Sequence, residues 1–436
     1  MSGPPASQAL LPNLAPLGLR DLPQDAMDVI VDRLLEKMHF VDVCETRWLQ
    51  ICQITQNTDA CNDPNDRIWK AACKRMGLNR IVRYTGAPTT WRGTLRALCK
   101  ELNDTGDDAF RALRFAIDKD DFENQFHLMH ILPRMGCPLA LAVLLDHGYD
   151  SNYIVGKRRP PLCAAAKHGH LAVVEVLLAG GANPDLPTVS GKTALMIACE
   201  KGNLPIVKVL LAAGANMEAR DEDAGSALMY ASLSGSYRVV RELLEQTPPP
   251  PVDTYDAGDW TPLMLAVESM VPETVKELLK HRPWVNPADM NGWTPIMLAS
   301  KNYQDRTEIV DALLATNDVN LNMRNDDGET ALIVAANLGN VAIVKALLAY
   351  LWRPDVNAQD NRGFTALMRA AWQGGPDELL SALLDAGADV HLKSAEGQTA
   401  FSLYAQPRFV RSLPAPPELW NRLQGREFGP EGEIRF

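Results

Sequence analysis

One block recurs eight times between residues 160 and 413, and a chain built that way has few folds open to it. The blocks begin "PPLCAAAKHGHLAVVEVLLAGGANPD" at Pro160, "TALMIACEKGNLPIVKVLLAAGANME" at Thr193 and "SALMYASLSGSYRVVRELLEQ" at Ser226. Five more start at Thr261, Thr294, Thr330, Thr365 and Thr399, so successive steps are 33, 33, 35, 33, 36, 35 and 34 residues. Self-similarity at such a period marks a repeat architecture. Each block reads as two short helices. The first carries small apolar residues on one side, such as Ala198, Ala231 and Ala266. A turn comes next, with Gly169, Gly202, Gly235 and Gly339 where left-handed backbone is expected. The second helix presents Val207, Leu210 and Leu211 to the first. One such pair cannot bury its own apolar face and must stack on neighbours. The reading is an all-α solenoid of about eight or nine helix-turn-helix units.

The blocks resemble the ankyrin repeat, whose pattern runs G-x-T-P-L-H-x-A-A, then G, then V-V-x-L-L, then G-A. The resemblance covers residues 156–413. It departs systematically at the His, which is Cys163, Met196, Met229, Met264, Met297, Ile333, Met368 or Ser402 here. In the family that His hydrogen-bonds the Thr and neighbouring turns; packing by flexible Met is expected to replace the link. Residues 107–152 read as a degenerate first repeat. "DDAFRALRFAIDKDD" supplies its first helix, "PLALAVLLDHGYDSN" its second, and "FENQFHLMHILPRMG" is extra. The repeat domain is thus 107–413, with 414–436 a C-terminal cap.

The front of the chain does not obey the repeat. Residues 1–20 read as a flexible leader, since Pro12 and Pro16 interrupt the apolar stretch and there is no basic start. In "DLPQDAMDVIVDRLL" (21–35), Asp21 and Gln24 have capping-box spacing, and Met27, Ile30, Val31, Leu34 and Leu35 mark one helical face. "FVDVCETRWLQICQI" and "RIWKAACKRMG" are two further amphipathic stretches. Leu22-Pro23, Val43-Cys44 with Trp48, and Trp69 resemble the landmarks of an F-box. The stretch through "TTWRGTLRAL" is similar to the segment C-terminal to the F-box in many ankyrin proteins of giant DNA viruses. Residues 21–76 are therefore read as a small F-box-like helical bundle and 77–106 as a basic helical connector.

Charge narrows the partners. The net charge is −11, yet residues 1–100 hold 13 Lys+Arg against 10 Asp+Glu, leaving 30 against 44 in the remainder. An acidic repeat domain is a poor match for nucleic acid, whose binding rests on phosphate neutralisation. Residues 69–100 carry eight Lys+Arg and no acid, read as a solvated basic face or a dock for an acidic partner. No run of 18 apolar residues is present to span a membrane. The eight cysteines all precede residue 200 at spacings of neither a zinc site nor a disulfide framework, as expected of buried thiols in a reducing compartment.

Several local signals are discounted. "SGKT" (190–193) lacks the first Gly of a phosphate loop, since position 186 is Leu186, and Thr193 falls on the repeat's own Thr. His127, His130, His147, His168 and His170 have no Cys or carboxylate at ligand spacing. "TPPPPV" (247–252) reads as a stiff loop insertion, with a Pro-rich ligand as the other reading. No catalytic signature appears, so no enzyme, cofactor or metal is expected.

Two functions stay open. The F-box resemblance implies docking on the Skp adaptor of a cullin-type (SCF) ubiquitin ligase through Leu22, Pro23, Ile30, Leu34, Val43, Cys44 and Trp48. The ankyrin resemblance implies capture of a target protein for ubiquitination, in a host cytoplasm or nucleus. Alternatively, the front helices only cap a binding scaffold. Large aromatics and Arg in variable slots are the candidate target contacts: Tyr230, Trp260, Trp293, Phe364, Arg369 and Trp372. Trp260 and Trp293 could instead pack against each other between adjacent turns.

Overall fold

The computed structural model describes residues 122–146, 148–154, 159–301, 307–405, 417–425, 427–428 and 434–435. The leader, the F-box-like segment with its seven Skp-contact candidates, and the connector lie outside them. The chain divides between Val189 and Ser190 into two compact units.

In the first unit the described helices are α1 (Phe122–Met135), α2 (Pro138–Asp146), α3 (Pro161–His168) and α4 (Leu171–Ala179). They form two helix pairs, with α1 packed on α3 and α2 on α4. "FENQFHLMHILPRM", read from the sequence as extra, is α1, the first helix of its pair. Its Leu128 and Leu132 are fully buried, along with Leu141 and Leu144 of α2 and Leu177 of α4. Helix α1 runs through Pro133. Asn152 clamps the pairs: its side-chain carbonyl accepts from the Asn183 N–H at 2.6 Å and its amide donates to Gly181 O at 3.3 Å.

The second unit repeats one local design. Its first helices are α5 (Ala194–Glu200), α7 (Ala227–Leu233), α9 (Pro262–Glu268), α11 (Pro295–Ser300), α13 (Ala331–Asn337), α15 (Ala366–Trp372) and α17 (Ala400–Tyr404). Its second helices are α6 (Leu204–Ala212), α8 (Tyr237–Leu244), α10 (Pro272–Leu279), α12 (Glu308–Leu314), α14 (Val341–Ala349) and α16 (Asp377–Asp385). First helices stack on first helices and second on second, giving a solenoid of helix pairs. Each first helix starts where the repeat's Thr or Ser hydroxyl accepts the N–H three residues on, at 3.2–3.4 Å. Pro at the first helical position of α9 and α11 fits, because that N–H has no partner inside the helix. Ala198, Ala231, Ala266, Ala299 and Ala370, five residues past each cap, are buried, and the missing bulk lets first helices approach closely.

The Met residues in the His position are core residues: Met196, Met229, Met264, Met297 and Met368 are at most 2% exposed. Met196 keeps part of the polar link as well, since its thioether sulfur accepts from the Thr193 N–H at 3.5 Å. The left-handed turn is held by Gly202, Gly235 and Gly339, as expected. In the α9–α10 repeat the same position is Met270, at φ 57°, a conformation that disfavours a side chain by about 1–2 kcal/mol. The array closes on α18 (Pro417–Leu423), packed on α16. Its Trp420 ring meets Phe401 edge-on at 5.0 Å. One detail departs from an all-α reading: β1 (Glu427–Phe428) and β2 (Ile434–Arg435) form a minimal antiparallel pair.

Candidate protein-binding surface

Between each second helix and the next first helix the chain makes a projecting tip. In five of the six tips within the second unit its geometry stems from one Asp or Asn five residues before the cap; before Thr399 the place is taken by Ser394, whose hydroxyl accepts the Gln398 N–H at 3.2 Å. Asp256 Oδ1 accepts the N–H groups of Gly258 and Trp260 at 2.8 and 2.9 Å. Asp289 does the same for Asn291 and Trp293 at 2.9 and 2.8 Å, and Asp360 for Arg362 and Phe364 at 2.9 and 2.8 Å. Asp221 serves Asp223 and Gly225, and Asn325 serves Glu329. A side-chain oxygen that satisfies two turn amides holds a loop that has no helix or sheet to hold it.

Successive tips are then laced together by backbone. The Glu222 N–H donates to Ser190 O, Ala257 to Asp223 O, Met290 to Gly258 O, Asp326 to Asn291 O, Asn361 to Asp327 O and Ala395 to Arg362 O. The tips therefore form one ladder. Glycine is required on it at Gly363, whose φ is 74° and whose added Cβ would stand 2.9 Å from Ala395 N.

The six expected target contacts separate on this frame. Tyr230 is half-buried and its hydroxyl donates to Asp221 Oδ2 at 2.5 Å. Burial, with that bond second, pushes its ionisation well above the ordinary phenol range. Arg369 donates from Nε to Asp360 Oδ2 at 3.0 Å and pairs through Nη2 with the same oxygen and, at 3.7 Å, with Glu329. Phe364 is 9% exposed, under the Arg369 guanidinium and edge-on to Trp372 at 6.2 Å. Tyr230, Phe364 and Arg369 thus serve first to fix their tips. Tyr230 and Arg369 hold the same position relative to the tip Asp, nine residues on, and each locks its second oxygen.

Trp260, Trp293 and Trp372 are half-buried and keep surface for a partner. Trp260 and Trp293 form no ring pair with each other among the described residues; Lys301 Nζ instead stands 4.4 Å from the Trp293 ring centre. Met290 joins this strip at 67% exposure, a contact-capable residue that no repeat pattern singles out. The tip Asp was also missed from the sequence, though its recurrence five residues before Thr261, Thr294 and Thr365 was there to be read.

Thr193 of "SGKT" is a helix cap, Gly191 a left-handed tip residue and Lys192 a partner of Glu200 at 3.2 Å. His168 and His170 stack at 6.1 Å, and His170 Nε2 lies 3.0 Å from Arg134 O. Burial, then the Arg134 charge, lowers the His168 pKa. Among the described residues no group of three or more His, Cys, Asp or Glu is placed to hold a metal, and no helix is long and apolar enough to cross a membrane.

The family model for ankyrin repeats in three copies matches residues 128–221, 162–254, 228–323 and 296–394. The chain belongs to the ankyrin-repeat family. This ankyrin-repeat protein is 42% identical over 84 residues to ankyrin repeat and SAM domain-containing protein 6 of Rattus norvegicus, and 40% identical over the same length to that of Mus musculus. Those matches cover 19% of this chain and only 9% of the relatives' length. Among solved structures it is similar to the human ASB11 ankyrin repeat domain, at 29% identity and a TM-score of 0.45, covering 52% of this chain and 98% of that one. The repeat array is a scaffold for protein–protein interaction.

Proposed function

We propose that this ankyrin-repeat protein is a non-catalytic adaptor that holds a target protein on the tip ladder and first-helix face of its second unit. The observation that carries the binding role is the ladder itself. Backbone bonds link six pairs of adjacent tips and present Trp260, Met290 and Trp293 in register. A rigid, aromatic-bearing surface loses little entropy on binding.

The F-box-like pattern of Leu22-Pro23, Val43-Cys44 and Trp48 supports the second half of the reading: docking on the Skp subunit of an SCF ubiquitin ligase, inside a eukaryotic cell. The array would then raise the target's effective concentration at the ligase. The resemblance to giant-virus proteins favours a viral factor acting on a host. The test mixes purified full-length chain with purified Skp adaptor and monitors complex formation by size-exclusion chromatography. Wild type is run beside a Leu22→Ala/Pro23→Ala variant of equal helicity. Co-elution lost in the variant is the expected result. A folded wild type that never co-elutes removes the ligase role and leaves the front helices as a cap on a binding scaffold.

A further inference from the structure

Three aromatic rings at or beside the tips of the second unit already carry a cation of the chain's own. Lys192 Nζ stands 4.0 Å from the Tyr230 ring centre, Lys301 Nζ 4.4 Å from Trp293 and the Arg369 guanidinium carbon 4.9 Å from Phe364. The pairing reflects ring electrostatics: the π-face is negative and attracts a cation within about 6 Å. Trp260 differs from Trp293. It occupies the same slot as Trp293, immediately before the cap, yet none of the described residues places a cation over it.

Sequence register gives the reason. Seven residues past the cap, the Trp293 repeat has Lys301 and the Trp260 repeat has Glu268. Both are exposed at the end of a first helix. The change from Lys to Glu reverses the charge at the position that supplies the partner of Trp293. The surroundings reinforce it. Asp259, beside Trp260, is exposed, as are Glu222 and Asp223 on the preceding tip, which the Ala257 N–H reaches through Asp223 O at 2.8 Å. Arg220, on that side, donates to the Ala224 and Tyr255 carbonyls at 2.6 and 3.2 Å. On the other side the ladder brings Met290, whose N–H donates to Gly258 O at 3.4 Å.

The geometry points to Trp260 as the receptor for a Lys or Arg side chain on a basic, partly apolar segment of the target protein, with Glu268 as its counter-charge and Met290 as the adjoining apolar contact. This rests on the protein-binding reading above and adds the partner's chemistry to it. Charge complementarity selects that occupant. An uncharged apolar segment would strand the carboxylates, and an acidic one would be repelled by them.

The experiment uses full-length protein and fluorescence anisotropy. The probe is a short fluorescein-labelled peptide alternating arginine with leucine; the control peptide has glutamine for arginine. Wild type is expected to bind the first and not the second. Glu268→Lys rebuilds over Trp260 the arrangement that Lys301 makes over Trp293, and is expected to weaken binding about tenfold or more. Trp260→Leu, which keeps an apolar side chain but no π-face, is expected to do the same. Glu396→Lys makes the same charge change on a later tip and is expected to stay within about twofold of wild type, as a remote charge screened by salt should. Circular dichroism verifies the fold of each variant. Equal losses in Glu268→Lys and Glu396→Lys would mean unspecific attraction to an acidic protein and would overturn the proposal. So would no binding by wild type, or an unaffected Trp260→Leu. The adaptor reading fails separately, in the Skp experiment, which involves none of these residues.

Discussion

Arg369→Leu tests whether the tips are held by buried charge or merely decorated with it. The Asp360 side chain is 1% exposed, that of Glu329 15% and that of Arg369 17%, so the guanidinium is the near neighbour that neutralises two sheltered carboxylates. Removing one partner of a buried pair costs about 3–5 kcal/mol, because the other charge is left without compensation. Asp360 keeps its two backbone donors on Oδ1, which favours the lower end, about 3 kcal/mol. The loss should be local, since each repeat touches only its neighbours. Native-state hydrogen exchange is the assay, read at the Arg362 and Phe364 amides that donate to Asp360 and at Gly363, which donates to its backbone carbonyl. A loss of about 3 kcal/mol corresponds to exchange faster by roughly a hundredfold, at 1.4 kcal/mol per factor of ten. Adding Asp360→Asn, which keeps the oxygen acceptor and removes the charge, should restore about half of that. Protection unchanged within about 0.5 kcal/mol, the range of ordinary surface substitutions, would refute the argument and return Arg369 to the set of free contact residues.

Three further outcomes are expected. Glu277 is buried against Arg241 at 2.9 Å and Lys280 at 2.8 Å, and the Arg241 bond chiefly holds its pKa at about 2, below the usual 4.5. Its contribution is therefore complete above about pH 4.5 and lost as pH falls toward 2. Glu277→Gln should destabilise by about 1 kcal/mol at neutral pH, discounted for the exposed partners, and match wild type in urea titrations at the acid end. Gly363→Ala should cost about 2 kcal/mol or more, from left-handed strain plus the contact with Ala395 N, seen as faster exchange of the Ala395 amide. Burial pushes the Cys163 thiol up to about 12 and Cys199 higher still. Alkylation of native protein near pH 8 should spare both by peptide mapping and modify them after denaturation; native labelling would mean that these helices open readily.

Several features were legible because they are local. The cap Thr, the Gly of the helix–helix turn and the Val/Leu of the second helix each act within a few residues, so their recurrence gave the family and the fold. The Met residues in the His position were read correctly as packing. The polar remnant at Met196 was not, because a sulfur acceptor for the Thr193 N–H has no sequence signature. α1 was not placed either: its stretch was set aside as extra, and only the burial of Leu128 and Leu132 shows that it is a core helix.

The candidate surface was legible only as a set of names. Tyr230, Trp260, Trp293, Phe364, Arg369 and Trp372 looked equivalent, since each is a large side chain in a variable slot. Three-dimensional neighbours divide them. For Tyr230 and Arg369 the neighbour that decides is the carboxylate nine residues back, and for Trp293 it is the cation seven residues past the cap. The sequence by itself determined that helix pairs must stack, where each begins and turns, and that the surface is acidic, because period and capping are short-range properties of the chain. The tertiary structure alone decided which polar groups are spent on one another and which are left to a partner. That depends on distances between side chains a whole repeat apart, and stacking, not sequence proximity, sets those distances.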